Sequence, residues 1–285
     1  MTNRSDGLTR SFARPRPRSR VALRVRRTVA VLLVLVALAI GVDYGAAALA
    51  ESAVSRHMRE QLNLADDPSV RFNNFPFLAQ VVAGTYRSVD VTAEHISVGP
   101  LRDVQLRTQL RGVQVPLSEL LGGGPRTVTV REAEGTVRIG PPDVERLLTG
   151  VDKLWIDGID AKGLEEAVED GADPALARID PATAARMGGT VEVLGEEQPV
   201  SAIAVLELTD GQVQIVPRDV QVGDTASADL PAAAQRTLSR LFTIRLDPGD
   251  LPLDVTPTKA RVSSGGLEIS GLTGRLVLGA GAPAA

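Results

Sequence analysis

Two histidines, His57 and His95, are the side chains of this sequence whose ordinary titration range suits acid–base work near neutrality. A Ser-His-Asp arrangement needs one of them, and the signature Gly-x-Ser-x-Gly occurs nowhere. His95 stands beside Glu94 in the alternating run VTAEHISV, the setting of a surface or core histidine rather than of a general base. The chain has no cysteine, which removes disulfides, thiolate catalysis and cysteine-held zinc. Acids gather at Asp157 and Asp160 in WIDGID, and at Glu165, Glu166, Glu169, Asp170 and Asp173 in EEAVEDGAD. Their spacing misses the calcium loop of an EF-hand, so a solvated acidic face is the simpler reading. A glycosidase pair can be drawn from distant carboxylates, and nothing here nominates one. Gly122–Pro125, GGGP, lacks the lysine and following helix of a phosphate loop and reads as a turn. No catalytic residue, metal site or cofactor is assigned.

The charge pattern says more than the net value of −4. Residues 1–27 hold nine arginines against the single acid Asp6, which leaves 22 bases and 34 acids, a net −12, after Arg27. An arginine-rich head is compatible with nucleic acid, but this one runs straight into TVAVLLVLVALAIGV, Thr28–Val42, which carries no charge. The membrane reading displaces the nucleic-acid one. Basic residues ahead of an apolar run stay cytoplasmic, so the chain beyond Asp43 is expected outside. Fifteen helical residues reach only about 22 Å, short of a ~30 Å hydrocarbon core and suited to a cleavable signal. Ala48–Ala50 even offers a small-residue cleavage site before Glu51. Yet DYGAAALAESAVSRHMREQL continues in helix formers without a break, and Arg26, Arg27 and Tyr44 can anchor a short span at its interfaces. A retained single-pass anchor is the expectation, with a cleaved secreted or periplasmic form as the alternative.

The elements that must position any site follow from periodicity. Ala46, Ala50, Val54, Met58 and Leu62 mark an amphipathic helix between Ala46 and Leu64, expected to pack on a sheet and ended near Pro68. From Gly84 the period changes to alternation: Val89, Val91 and Ala93 point one way, Asp90, Thr92 and Glu94 the other. VQLRTQL, RTVTVRE, GTVEVLG, SAIAVLEL, GQVQIVP, LFTIRLD, TKARVSS, GLEISGL and GRLVLG repeat that habit between Gly and Pro turns, and Asp210-Gly211 predicts a type I′ hairpin. Helical patches are expected at PPDVERLLTGV, KGLEEAVED, PATAARMGG and LPAAAQRTLSRLF. The fold class is α+β, a long curved antiparallel sheet wrapped on an amphipathic helix and preceded by the membrane segment. The domain plan is a basic cytoplasmic head at 1–27, the membrane segment at 28–45 and an extracytoplasmic domain at 46–279. That domain includes an acidic connecting subdomain at 141–189, and a small-residue tail, 280–285, follows it.

Aromatic residues make up 3% of the chain, yet Phe75, Pro76, Phe77 and Leu78 stand together in NNFPFLAQVVAGTY. Asn73 and Asn74 favour a turn, and Pro76 fixes the backbone at the entrance of a strand or helix. Two interiors stay open. One is a closed aliphatic core whose end Phe75 and Phe77 plug; the other is a sheet curled around a slot lined by Val, Leu, Ile and Ala, with those two rings at its mouth. A slot suits alkyl chains, because two acyl chains of about fifteen methylenes each represent roughly 24 kcal/mol of gross transfer energy that an open groove cannot shelter.

FPFLAQVVAGTYRSVDVTA resembles the signature of the LmeA family of actinobacterial envelope phospholipid-binding proteins: F-P-F-L, a Gln, a Gly-aromatic pair and a V-x-V strand. LELTDGQVQIVPRDVQV and then LFTIRLDPGDLPLDVTPTKARVSSGGLEISGLTGRLVL follow in the family's order. The similarity runs from Asp43 to Leu278 and is weakest over Pro141–Gly189. It implies an exported, non-enzymatic phospholipid-binding domain akin to tubular lipid-binding folds, supporting assembly of mannosylated lipoglycans (mannan) and envelope integrity. On that resemblance the lipid-binding candidates are Phe75, Pro76, Phe77, Leu78, Val81, Val82 and Tyr86. Arg71 and Arg87 are the head-group candidates, because a −12 ectodomain cannot attract anionic lipid by bulk charge. The expected partners are a phospholipid and the membrane, with no nucleic acid. The alternatives are a membrane-anchored interaction domain with a filled core and, third, an envelope hydrolase.

Overall fold

A computed structural model describes residues 20–116, 127–193, 196–209, 211–223, 231–246, 256–263 and 265–279. Most of the basic head, the Gly122–Pro125 turn, Asp210 of the expected hairpin and the tail 280–285 lie outside the described residues. By contacts the chain divides into two compact units, Met1–Gly45 and Ala46–Ala285.

The first long element is a helix, α1, Arg20–Leu62, of 43 residues. In the first unit its apolar residues are exposed all round, Val34 at 67% and Leu38 at 64%, and from Arg24 it is long and apolar enough to cross a membrane. In the second unit α1 becomes amphipathic. Ala46, Ala47, Ala50 and Met58 pack inward, while Ser55 is buried and its Oγ donates to the carbonyl of Pro68 at 2.6 Å. Val54 and Leu62, expected on the same face, are exposed at 37% and 60%. A strict i+4 series drifts about 40° per step, which carries Leu62 roughly 120° round the helix from Ala50 and off the packed face; the exposure of Val54 has no such geometric reason.

The strands are antiparallel and the sheets curl. In one sheet the order is β1 (Ser69–Asn73), β2 (Thr85–Val98), β3 (Leu101–Gln114), β5 (Glu132–Ile139), β12 (Gly266–Thr273) and β11 (Pro257–Ser263). Alongside, β4 (Thr127–Val130) pairs with both β3 and β13 (Leu276–Gly279). The second sheet runs β10 (Ile244–Leu246), β9 (Gln212–Val222), β8 (Glu196–Thr209), β7 (Ala184–Val193) and β6 (Asp152–Gly158). Register shifts in β2 between Ala93 and Ile96, and in β9 at Arg218, opposite Ile203 and Ala204 of β8, are bulges of the kind that bend a strand; His95 sits in the first with φ +53°. The architecture is therefore α+β with a curled antiparallel sheet and an N-terminal apolar helix.

The inner faces of the two sheets meet in one aliphatic cluster that includes Val104, Ile139, Met187, Val213 and Ile215, and an amphipathic helix, α5 (Ala232–Leu241), adds Leu238 and the following Phe242. A second cluster joins the end of the first sheet to the 46–58 face of α1. Residues 141–189 supply α3 (Pro141–Leu147), β6, α4 (Ala161–Glu169) and two short 3₁₀ turns, Pro174–Arg178 and Pro181–Thr183. Leu164 of α4 and Leu176 cover the far face of the second sheet over Ile203 and Val205.

PATAARMGG, expected as a helix, is a 3₁₀ turn running into β7. Its last two residues explain the difference: Gly188 lies under the ring of Trp155, with room for no Cβ, and Gly189 lies 2.7 Å, measured from an ideal Cβ, from the carbonyl of Asp152. Such close approach needs glycine in a strand, where helix propensity is overruled. Asp143 of α3, 1% exposed, accepts the backbone N–H groups of Arg102 and Asp103 at 2.9 and 2.8 Å and pairs with Arg146, tying α3 to the start of β3.

Candidate functional site

The stretch after β1 forms its own small structure on the end of the first sheet. Asn74 turns the chain at φ +76°, a cis peptide joins Phe75 to Pro76, and α2, Phe77–Ala83, follows. Gly84 ends it at φ +64°, its N–H capping the carbonyls of Gln80 and Val81. A Cβ there would stand 3.1 Å from the carbonyl oxygen of Val115, so glycine meets both a left-handed turn and a close neighbour.

This helix is inside out. Phe77 (6% exposed) and Gln80 (8%) are its buried residues, with Val81 partly buried beside them. Phe75, Leu78 and Val82 are exposed at 53%, 40% and 75%, and Pro76, Ala79 and Ala83 are exposed as well. The single polar side chain of α2 thus faces in beside Phe77 and Val81, while Leu78, Ala79, Val82 and Ala83 face out. Gln80 has a structural use for that position: its Nε2 donates to the carbonyls of Asn73 and Asn74, and its Oε1 accepts the backbone N–H of Arg87 at 3.0 Å. One amide latches the turn, α2 and the start of β2 together.

Beneath α2, Phe72, Phe77 and Tyr86 form an aromatic group, with ring centroids 5.2 Å apart for Phe72–Phe77 and Phe72–Tyr86 and 6.2 Å for Phe77–Tyr86. They belong to the cluster that also takes Ala46, Ala47, Ala50 and Met58 of α1. Burial pushes the Tyr86 phenol above its ordinary value of 10.0. The sequence candidates therefore split: Phe77 and Tyr86 point in, Val81 is half-buried, and Phe75, Pro76, Leu78 and Val82 point out.

Arg71 and Arg87 are both exposed and flank the segment. Between them, from Phe72 to Tyr86, no side chain carries a charge. The neighbouring outer face is a polar ladder in which Asp90 accepts from Asn73 at 2.7 Å and from Gln109 at 3.3 Å. Next to it Arg111 pairs with Glu132 at 2.8 Å and Glu134 at 3.5 Å. On β1 the edge amide of Phe72 donates to Glu51 of α1 at 2.8 Å, so helix α1 covers an open sheet edge.

The residues considered for catalysis stand elsewhere and apart. His57 lies on an exposed turn of α1. His95 is bracketed by carboxylates, Nδ1 2.8 Å from Asp66 and Nε2 3.8 Å from Asp103, all exposed. The acidic stretch has structural duties: Asp160, Asp173 and Asp180 accept the N–H groups of Gly163, Ala175 and Ala182 at 2.8, 2.9 and 3.0 Å as N-caps, and Glu166 pairs with Lys162 at 2.9 Å. Among the described residues no group of three or more His, Asp or Glu stands together as metal ligands do.

Three residues of the site were not singled out as contacts by the sequence reading: Phe72, Gln80 and Gly84. Phe72 had a signal, being another of only five phenylalanines and spaced three from Phe75. Gln80 had one too, as the only polar residue in FLAQVVA. A family model described as LmeA-like phospholipid-binding matches residues 41–271. No curated protein and no solved structure matches the chain.

Proposed function

The chain belongs to the LmeA-like phospholipid-binding family, whose model spans most of its length, and from that premise we propose a membrane-anchored, extracytoplasmic protein that holds a phospholipid for assembly of envelope lipids and lipoglycans. Lipid binding is the family's property; the anchor, the orientation and the lipoglycan role are our reading. In it Phe77, Val81 and Tyr86 close the inner end of the lipid site against acyl chains. Phe75, Pro76, Leu78 and Val82 form its outer lip, and Arg71 and Arg87 meet the head group.

The observation that carries this reading is the inverted helix α2: an exposed apolar face on a stretch without charge, bracketed by two exposed arginines. An amphiphile with alkyl chains and an anionic head matches that order of surfaces. The nine arginines before Thr28 support an N-terminus in the cytoplasm and a domain 46–279 outside. A reporter fused after Leu278 is then active only outside the cytoplasm.

A second reading is favoured by a specific observation. The interior between the sheets is filled with side chains, Val104, Ile139, Val213 and Phe242 each at 0% exposure. That is how a ligand-free interaction domain with a closed core would look. Native mass spectrometry of the full chain after mild detergent extraction separates the two: a co-purifying phospholipid, displaced by excess competitor lipid, supports binding. A bare chain under conditions that keep it folded supports the filled core.

A further inference from the structure

We propose that the exposed face of α2 is a membrane-docking surface, Phe75, Leu78 and Val82 entering the outer leaflet beside the protein's own anchor. This goes deeper into the reading above and rests on its membrane anchor; it adds that the lipid site is met from within the leaflet and not across water.

Three observations commit the face to a lipid surface. The first is the inversion of α2, in which Gln80 is turned inward at 8% exposure and Val82 outward at 75%. A helix on the surface of a soluble domain does the reverse. The second is charge: no charged side chain lies between Phe72 and Tyr86, while exposed Arg71 and Arg87 stand at the two ends. Apolar residues bordered by cations suit an interface whose interior is hydrocarbon and whose rim is phosphate. The third is chain length. Ala46, Ala47 and Ala50 share one apolar cluster with Phe77 and Val81. Ala46 follows Val42, the last residue of the apolar run, by four residues, at most about 15 Å of extended chain. With the proposed anchor in place, that length of chain is the limit on how far the cluster can stand from the end of the apolar run. The Gln80 latch and the Gly84 cap hold α2 in this orientation without help from a ligand.

The test uses the full chain and its lack of cysteine. Single substitutions Val82→Cys, Leu78→Cys and, as control, the exposed Lys153→Cys each give one site for an environment-sensitive fluorophore. The labelled proteins are reconstituted in vesicles of phosphatidylcholine and phosphatidylglycerol, with and without spin-labelled lipids that quench at shallow acyl depth. Probes at 82 and 78 are expected to be quenched at least about threefold more strongly than the probe at 153, with blue-shifted emission. Equal quenching at all three positions overturns the proposal. A blue shift at 82 without quenching by lipid also overturns it, because a second copy or a protein then covers the face. Lipid retention is read separately, by native mass spectrometry of the same variants after mild detergent extraction and before reconstitution. A chain that retains phospholipid but shows no quenching refutes the docking and leaves the binding function standing. Quenching in a chain that retains no phospholipid does the opposite.

Discussion

Replacing Gln80 with Leu asks whether one amide holds the site's architecture. The substitution keeps volume and burial but strands the backbone N–H of Arg87 and frees two carbonyls, those of Asn73 and Asn74. A buried N–H left without an acceptor costs about 1–3 kcal/mol. The carbonyls lie nearer water and add only about 1 kcal/mol together, while the new apolar side chain returns roughly the same amount. Gln80→Leu should therefore lower the unfolding free energy by about 1–3 kcal/mol in denaturant titration, and the Arg87 amide should exchange with solvent much faster than in the parent. Gln80→Glu supplies the sign. An ionised carboxylate still accepts from Arg87 but repels the two carbonyls, and burial raises its pKa above the ordinary carboxylate range. Stability of Gln80→Glu should thus be closest to the parent at low pH and be lost as pH rises from the unfolded carboxyl's pKa through the folded one. If Gln80→Leu leaves both the unfolding free energy and Arg87 exchange unchanged, the latch is not what holds α2.

Phe77→Ala removes a ring 6% exposed that meets Phe72 and Tyr86, and should cost about 3–5 kcal/mol in thermal or chemical unfolding; a loss below about 1 kcal/mol would mean the ring is not core. The Tyr86 phenol, raised by burial, keeps its proton longer in the folded state than in the unfolded one. Its contribution is constant below pH ~10 and falls above it, so Tyr86→Phe should lose less stability than the parent between pH 10 and 11 and match its slope below pH 9. Gly84→Val forces a β-branched residue to φ +64° beside the Val115 carbonyl and should cost about 1–3 kcal/mol, with Gly84→Asn costing less. His57→Ala and His95→Ala should keep lipid retention and envelope lipoglycan profiles at equal protein abundance; a folded, lipid-loaded and wholly inactive variant would revive the hydrolase.

The long strands were legible because one face of each is buried: Val89, Val91 and Ala93 alternate with polar neighbours, and β2 begins at Thr85, next to Gly84. Of the shorter strands, β4, β10, β11 and β13 lie within runs that also read as strands, whereas β1, β5 and β6 do not. β1 has five residues and follows a helix-breaking loop, too brief for a period to establish itself. β5 alternates cleanly, but its first inward residues, Ala133 and Gly135, are too small to stand out as apolar, and in β6 a register shift between Asp152 and Trp155 blurs the alternation. The division into two sheets depends on which strands pair across long sequence gaps, such as Ile269 with Val137, and no local pattern encodes that. For the candidate site, composition drew attention to residues 71–87, but not to which way each faces. Seven residues make two turns of helix, and whether Phe77 or Leu78 turns inward is decided by the Gln80 hydrogen bonds and by the aromatic partner Phe72, both tertiary facts.

Given the proposed anchor, the three residues between Val42 and the cluster at Ala46 also set how weak the face of α2 can be. A domain confined within about 15 Å of a surface experiences it at an effective concentration on the order of 0.1 M. At that concentration a contact with a millimolar dissociation constant is nearly always made, although the same domain cut free would leave vesicles almost untouched. On the docking proposed above, three modest apolar side chains would then be enough and each release would be fast, so the lip would meet the leaflet and leave it many times during the life of one anchored molecule.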